Sequence, residues 1–232
     1  MIKGIIFDKD GTLFDFNATW GAWTQQMLAA EAGGDHVKFD ALADVLGYDA
    51  QANRFVPGSI VIASTVDIVA DHILSVLGDV DKGALIARMN TGAAQVTQQE
   101  AVPLAAYFAS LARLNLKLGI ATNDAEAPAL QHLEQAGVNG YFDFIAGYDS
   151  GFGAKPEPGQ LDAFCTTTGI AAAQCAMVGD STHDLVAGRA AGMKTIGVLT
   201  GPAPQAELAP LADVVLPDIG AIPGWLRAER LI

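Results

Sequence analysis

The chain has 232 residues, of which 51% are hydrophobic and 17% are charged, with a mean hydropathy of +0.30. An intrinsically disordered chain is excluded, because this apolar content is enough to form a core. Acidic residues outnumber basic ones 26 to 13, and the resulting net charge of −13 argues against a nucleic-acid partner. The length fits one domain, or a core with an inserted second unit.

The cysteines and the apolar runs exclude further classes. Cys165 and Cys175 are too few for a disulfide framework or a zinc cluster, and we predict two buried thiols in a reducing compartment. The first residues reach carboxylates too early for a secretory signal. No apolar run approaches the ~18 residues that span a bilayer, and the candidate run over residues 60–66 stops at Asp67. We therefore expect a cytoplasmic protein with no membrane partner.

The first predicted element is a short buried strand over residues 2–7. It runs directly into Asp8, Lys9, Asp10 and Gly11, a change from apolar to polar that is typical of a strand meeting a loop. Gly11 permits a tight turn and a close approach of a ligand to the backbone. Charged side chains are thus expected at the carboxyl end of this strand.

The long stretch between this strand and Pro103 contains no convincing buried strand. Its apolar residues recur at helical spacing, with breaks such as Gly33-Gly34 and Pro57-Gly58. The predicted helices cover residues 20–32, 37–46, 60–77 and 82–95. A loop of this length is improbable inside a compact domain, so we predict an inserted helical subdomain. The predicted boundaries give a core of residues 1–16 and 98–232 and an insert of residues 17–97.

The rest of the chain alternates between strand and helix patterns. Strands are predicted over residues 116–121, 175–178, 194–199 and 212–216, and helices over residues 128–136 and 184–191. This alternation predicts an α/β fold with a doubly wound, Rossmann-like parallel sheet. Thr122 and Asn123 follow one strand and Asp180 follows another. Ligands bind outside the carboxyl ends of such strands, so these side chains and Asp8 are expected to lie together.

The pair Asp8 and Asp10 has two interpretations when it is taken alone. Two carboxylates two residues apart can belong to an Asx-rich turn. Held close together, they would instead need a cation or a proton between them. One carboxylate can then act as a nucleophile toward phosphorus while the other transfers a proton.

Four motifs in this order resemble those of the haloacid dehalogenase superfamily of phosphohydrolases. They are Asp8 and Asp10 in Asp8-Lys9-Asp10-Gly11-Thr12-Leu13, Thr122 in Ile120-Ala121-Thr122-Asn123, Lys155 in Gly153-Ala154-Lys155-Pro156, and Gly179-Asp180-Ser181-Thr182-His183-Asp184. The motifs cover the predicted core. The insert after the first motif resembles the C1 cap of the family, as in its phosphoglycolate phosphatase-like members.

The resemblance implies a Mg²⁺-dependent phosphatase. In it, Asp8 is the nucleophile that forms an aspartyl-phosphate, with its other oxygen on the metal. Asp10 is the general acid and base, and its backbone carbonyl also reaches the metal. Thr122, with the amide of Asn123 beside it, and Lys155 bind the phosphoryl group.

The resemblance also makes Asp180 a metal ligand and Asp184 an outer-shell residue that orients a metal-bound water. For both, a role at a helix N-terminus is the competing interpretation. His183 occupies a variable position of the motif, and we interpret it as a loop or surface residue. Trp20 and Trp23 are interpreted as packing residues, and His132 shows no metal-ligand spacing.

The expected partner is a small phosphorylated metabolite, with 2-phosphoglycolate as the leading candidate, and the expected assembly is a monomer or homodimer. Arg54 is the basic residue of the insert that we would expect to contact a substrate carboxylate, although a solvated loop arginine is an equal alternative. A sugar-phosphate mutase of the same superfamily and a non-catalytic binding protein stay open. A haloacid dehalogenase would not need Asp10, and a phosphonate hydrolase would need an insert lysine in a persuasive setting.

Overall fold

The computed structural model describes residues 1–56, 58–62 and 64–232. Pro57, from the predicted Pro57-Gly58 break, and Ala63, from the predicted helix over residues 60–77, lie outside the described residues. The strands are β1 (Gly4–Phe7), β2 (Tyr48–Asp49), β3 (Arg54–Phe55), β4 (Lys117–Ala121), β5 (Phe144–Ala146), β6 (Cys175–Gly179), β7 (Lys194–Val198) and β8 (Val214–Leu216). The helices are α1 (Phe16–Ala32), α2 (His36–Leu46), α3 (Val66–Leu77), α4 (Lys82–Ala93), α5 (Leu104–Leu111), α6 (Glu126–Gln135), α7 (Gly159–Thr168), α8 (Thr182–Ala190), α9 (Gln205–Leu208) and α10 (Ile222–Ala228).

Six strands form one parallel sheet in the order β5-β4-β1-β6-β7-β8. Strand β1 is central, because Ile5 pairs with Leu118 of β4 on one side and with Ala176 of β6 on the other. The predicted α/β fold with a doubly wound parallel sheet is confirmed. All strand ends that carry the predicted site residues therefore meet at one edge of the sheet.

Side chains of β1 alternate between the two faces of the sheet, as the two-residue period of a strand requires. Ile5 and Phe7 belong to a core that includes Phe108 of α5, whereas Ile6 packs on the other face with Phe164 of α7 and Met177. Helices thus cover both faces, which explains why the strands are apolar throughout.

The residues between β1 and α5 form their own apolar cluster. Its buried members include Leu28, Leu42, Ile73 and Leu85, one from each of α1 to α4. This packing agrees with a helical insert, and the domain boundaries given above stay a prediction. A hairpin of β2 and β3 also lies in this stretch. It was not predicted, because strands of two residues are too short to show an alternation of apolar and polar side chains.

Two more elements differ from the expectation. The continuous helix predicted over residues 60–77 is instead a short 3₁₀ helix, Ile60–Ile62, followed by α3 from Val66. The apolar pattern continues across this break and could not reveal it. Strand β5 was missed because its three residues are too few to register as a strand pattern. In the part of the chain that the structure describes, no helix is long and apolar enough to cross a bilayer.

Candidate active site

The site lies at the carboxyl ends of three neighbouring strands. Asp8 follows β1, Thr122 follows β4 and Asp180 follows β6, and these strands are adjacent in the sheet. Lys155 reaches the same point from the loop between β5 and α7. The fold therefore brings the predicted core residues together although they are up to 176 positions apart in sequence, from Asp8 to Asp184.

A buried lysine joins two of the predicted carboxylates. The Nζ of Lys155 lies 2.6 Å from Oδ1 of Asp8 and 2.6 Å from Oδ1 of Asp184, and it donates a hydrogen bond to each. Burial lowers the pKa of Lys155, but Asp184 and Asp8 more than offset this effect, so the pKa is raised overall. The side chain is thus a permanent positive charge beside two anions.

The pKa of Asp8 is raised to about 7, mainly because burial disfavours its charged form, an effect that Lys155 only partly counters. Asp184 and Asp10 raise it further, since like charges disfavour ionisation. A cation beside Asp8 would reverse this shift. An additional cation at this site would therefore favour the charged, nucleophilic form of Asp8.

Three carboxylates form a cluster that could hold a metal ion. Oxygens of Asp8, Asp180 and Asp184 lie within 4.8 Å of one another, and all three residues are buried. Oδ1 of Asp180 accepts a hydrogen bond from the Thr12 hydroxyl at 3.4 Å, whereas Oδ2 is buried without a hydrogen-bond partner among the described residues. Burial and the neighbouring carboxylates raise the pKa of Asp180 well above its usual value. Hard oxygen donors with an unpaired buried oxygen fit Mg²⁺.

The two oxygens of Asp184 are engaged differently from those of Asp180. Oδ1 accepts from Lys155, and Oδ2 accepts from the backbone N–H of Ser181 at 3.0 Å and from its hydroxyl at 2.7 Å. Ser181 also caps helix α8, so the capping role and the site role of Asp184 coexist. Both carboxylate oxygens of Asp184 thus accept hydrogen bonds from protein donors, and its outer-shell position stays a prediction.

Gly11 has the tight geometry that the sequence suggested. Its φ of 76° lies in the left-handed region, and a Cβ built on it would be 2.3 Å from Oδ2 of Asp180. Any other residue would displace Asp180 from the carboxylate cluster. Glycine is therefore required both by the turn and by the proximity of Asp180.

The predicted phosphate-binding residues flank the carboxylates. Thr122 is buried, and its hydroxyl oxygen accepts from the N–H of Asp124 at 3.1 Å, so its own proton remains available to a ligand. The Asn123 side chain donates to the Lys155 carbonyl at 2.9 Å and accepts from the Lys155 N–H at 2.9 Å. Asn123 thus fixes the loop that carries Lys155.

Gln160, which the sequence analysis did not identify, fixes the same loop. Its buried amide donates to the carbonyl of Thr122 at 3.1 Å and to that of Gly153 at 2.9 Å.

Asp10 belongs to a second buried network that the sequence analysis missed. Its two oxygens lie 2.8 and 2.7 Å from Nζ of Lys9, and Oδ1 also accepts from the indole N–H of Trp20 at 2.9 Å. Lys9 is fully buried and forms an ion pair with Asp124 at 3.3 Å. Burial lowers the pKa of Lys9, but Asp10 and Asp124 outweigh it, and the pKa is raised.

His132 completes this network, with Nδ1 at 3.1 Å from Nζ of Lys9. The sequence did contain a signal for His132, because it shares one helical face with Ala129 and Leu133. The structure shows that this face of α6 is buried, so the imidazole lies on the core side. Lys9 carried no comparable signal, since a lysine beside two aspartates is usually solvated. The packing interpretation of Trp20 was incomplete: it packs in the insert and also contacts Asp10.

Two other predictions need correction. Arg54 lies on β3 with its side chain exposed and is not among the residues that line the cavity at the site. The structure therefore does not bring it to a substrate carboxylate, because its strand presents it to solvent. His183, interpreted as a loop or surface residue, lies on α8 and lines the cavity.

Comparison with known proteins agrees with this architecture. A family model described as haloacid dehalogenase-like hydrolase matches residues 5–198. A phosphoglycolate phosphatase from Neisseria gonorrhoeae is 40% identical over 118 residues, which is 50% of this chain and 50% of that protein. The chain thus spans about half the length of this curated relative.

Longer matches have lower identity. A phosphoglycolate phosphatase from Pseudomonas fluorescens is 28% identical over 228 residues, which is 96% of this chain and 79% of that protein. A solved structure from Haemophilus somnus, described as a predicted phosphoglycolate phosphatase, has a TM-score of 0.72 at 20% identity and covers 97% of both chains. The structural match supports the fold.

Proposed function

We propose that this chain, which belongs to the haloacid dehalogenase-like hydrolase family, is a Mg²⁺-dependent phosphomonoesterase that acts on a small phosphorylated metabolite. The observation that carries the proposal is Lys155, which lies 2.6 Å from both Asp8 and Asp184 beside the unpaired oxygen of Asp180. This arrangement combines a nucleophile, a fixed positive charge and a set of hard oxygen ligands.

Asp8 and Asp10 would have separate roles in the reaction, as the nucleophile and as the general acid and base. A carboxylate oxygen of Asp8 attacks phosphorus to form an aspartyl-phosphate, while the bond between phosphorus and the ester oxygen breaks and Asp10 gives its proton to the departing alkoxide. A water molecule then attacks the aspartyl-phosphate, and Asp10 takes the proton of that water. Inorganic phosphate leaves, and Asp8 and Asp10 return to their starting states.

Asp8, Asp180 and the backbone carbonyl of Asp10 would hold the magnesium ion, with Asp184 orienting the surrounding groups. When bound, the ion would supply the positive charge that allows an anionic ester to approach Asp8. Lys155 and the Thr122 hydroxyl would contact the phosphoryl oxygens, with the backbone amide of Asn123. The side chain of Asn123 would act on Lys155 by holding its loop.

Residues 17–97 would act as the cap over the site, since Trp20 of the insert contacts Asp10 directly. The names of the relatives make phosphoglycolate the first compound to test. A cytoplasmic location is also part of the proposal, because Cys165 and Cys175 are free thiols, which suits a reducing compartment. The assembly would be a monomer or homodimer.

The test is phosphate release from a panel of phosphomonoesters, in Mg²⁺ and in excess chelator. We expect release in Mg²⁺ and its loss in chelator, with recovery when Mg²⁺ is restored. Release that is unaffected by chelator would contradict the metal dependence. A folded protein that releases no phosphate from any ester would contradict the proposal and favour a binding protein on the same fold.

A further inference from the structure

The site opens into a cavity whose two ends differ in chemistry. The core end presents the catalytic groups, among them Asp8, Asp10 and Lys155. The insert end is lined mainly by apolar side chains: Trp23, Met27, Ile62, Val66, Val69 and Met89. The cavity has a volume of about 120 Å³. An engineered cavity that binds benzene measures ~150 Å³, and this cavity must also hold the phosphoryl group, so the remaining space suits a small leaving group.

Among the described residues of the insert, no charged side chain lines this cavity. The insert end of the cavity has the polar side chains of Thr24, Ser64 and Asn90, and all three are neutral. The group that leaves after phosphoryl transfer would lie here, because the phosphoryl group must lie against Asp8 and Lys155.

The basic side chains of the insert lie elsewhere. Lys82 pairs with Asp71 at 2.7 Å, and Arg88 pairs with Glu31 at 2.8 Å. Arg54 is exposed, and Lys38 is not among the lining residues. None of these four cations is positioned to receive a second negative charge of a substrate.

We infer that the substrate is the phosphate monoester of a small, uncharged and largely apolar alcohol. This inference rests on the proposed phosphatase function and specifies its substrate class. A carboxylate on the leaving group would be buried against Met27, Val69 and Met89 without a partner, and burying an unpaired charge is costly. Asp10 and Asp124 at the core end would repel it further.

The same cavity disfavours two other classes of leaving group. A sugar would bring several hydroxyl groups, whereas the described insert side chains at this end offer few hydrogen-bonding groups, those of Thr24, Ser64 and Asn90 among them. A cationic group would find no carboxylate among the described insert side chains that line this end of the cavity, and burying an unpaired charge is costly. An apolar group meets neither obstacle.

The experiment compares kcat/KM in Mg²⁺ for 3-methylbutyl phosphate, 2-phosphoglycolate, glycerol 3-phosphate and ethanolamine phosphate. All four are alkyl esters, so the comparison reports on the cavity more than on the ease of bond cleavage. We expect the 3-methylbutyl ester to be preferred by at least about tenfold, the discrimination typical of a few buried methylenes. A preference for any of the other three would overturn the inference.

Variants locate the preference in the cavity. Met27→Lys places a cation on the half-buried lining of α1, and we expect it to raise KM for the 3-methylbutyl ester and to lower KM for phosphoglycolate, each severalfold. Ile68→Lys makes the same change on the exposed surface of α3, outside the lining, and should alter neither. Arg54→Ala should also alter neither. If Met27→Lys does not fold, Met27→Gln tests the expected rise in KM for the 3-methylbutyl ester.

The failures of the two proposals are distinguishable. Turnover of phosphoglycolate in preference to the alkyl ester would overturn the substrate class and leave the phosphatase intact. Equal changes of both KM values in Met27→Lys would also contradict the inference. No turnover of any ester by folded protein in Mg²⁺ would contradict the phosphatase function itself.

Discussion

Lys9 donates a hydrogen bond to His132 in the interior of the protein, with Nζ at 3.1 Å from Nδ1 and both side chains fully buried. An ammonium group only donates, so Nδ1 is an acceptor and the ring proton is on Nε2, which donates to the carbonyl of Ala93 at 2.8 Å. Ala93 belongs to α4 of the insert. A neutral imidazole therefore connects the insert to the lysine that holds Asp10.

We predict that Lys9→Met reduces kcat by about 100-fold with little change in KM, because Asp10 loses the group that fixes its carboxylate near the ester oxygen. Steady-state phosphate release, measured at a temperature where the variant is folded, tests this. Its melting temperature should also fall, since Asp10 and Asp124 lose their buried partner.

Lys3→Met provides the matched control, because Lys3 is exposed just before β1. It should retain the wild-type kcat. A Lys9→Met enzyme with wild-type kcat would show that Lys9 has only a structural role.

His132 predicts a pH dependence of stability. Burial, with the charge of Lys9, lowers its pKa to about 4 in the folded protein, against about 6.5 in the unfolded chain. Between these values the unfolded state binds more protons, so the free energy of unfolding falls as the pH falls from 6.5 to 4. At about 1.4 kcal/mol per pKa unit, this contribution is at most about 3.5 kcal/mol.

His132→Gln can keep both hydrogen bonds without titrating. Denaturant unfolding at pH 7 and pH 4 should therefore show a smaller loss of stability for this variant than for the wild type. His36→Gln, at an exposed position, should behave as the wild type. An identical pH slope for His132→Gln would contradict the buried neutral imidazole.

Metal binding at the carboxylate cluster predicts a thermal shift that does not depend on activity. A ligand at 100 times its Kd stabilises a protein by about 2.7 kcal/mol, or roughly 5–10 °C in Tm for a chain of this size. Mg²⁺ should produce such a shift in the wild type and little in Asp180→Asn, which lacks the unpaired oxygen. Asp40→Asn, on the exposed face of α2, should retain it. A full shift in Asp180→Asn would remove Asp180 from the metal site.

The sequence predicted the parallel sheet and placed Asp8, Thr122 and Asp180 at strand ends, because each of these strands is an apolar run that ends abruptly in polar residues. Lys155, in the loop after the missed strand β5, was identified only by its motif. It did not predict the burial of Lys9, since a lysine is placed in a core only by the partners that surround it, and His132 is 123 positions away.

The insert was predicted less completely for a related reason. Helical periodicity located its helices, but the apolar run across residues 60–77 concealed the break before Val66. The expected contact of Arg54 with a substrate carboxylate was inferred from its residue type and its position in a predicted loop. Neither of these determines the direction in which the side chain extends. The cavity lining depends on how four helices pack, which no local pattern contains.

The most direct test of the account is phosphate release by Asp8→Asn. The substitution keeps the size of the side chain and removes the nucleophilic carboxylate. It should leave the fold intact, because burial already disfavours the charged form of Asp8. We predict turnover below detection together with a melting temperature in the absence of metal at least as high as that of the wild type. Phosphate release by the folded variant at a rate near that of the wild type would contradict the role of Asp8.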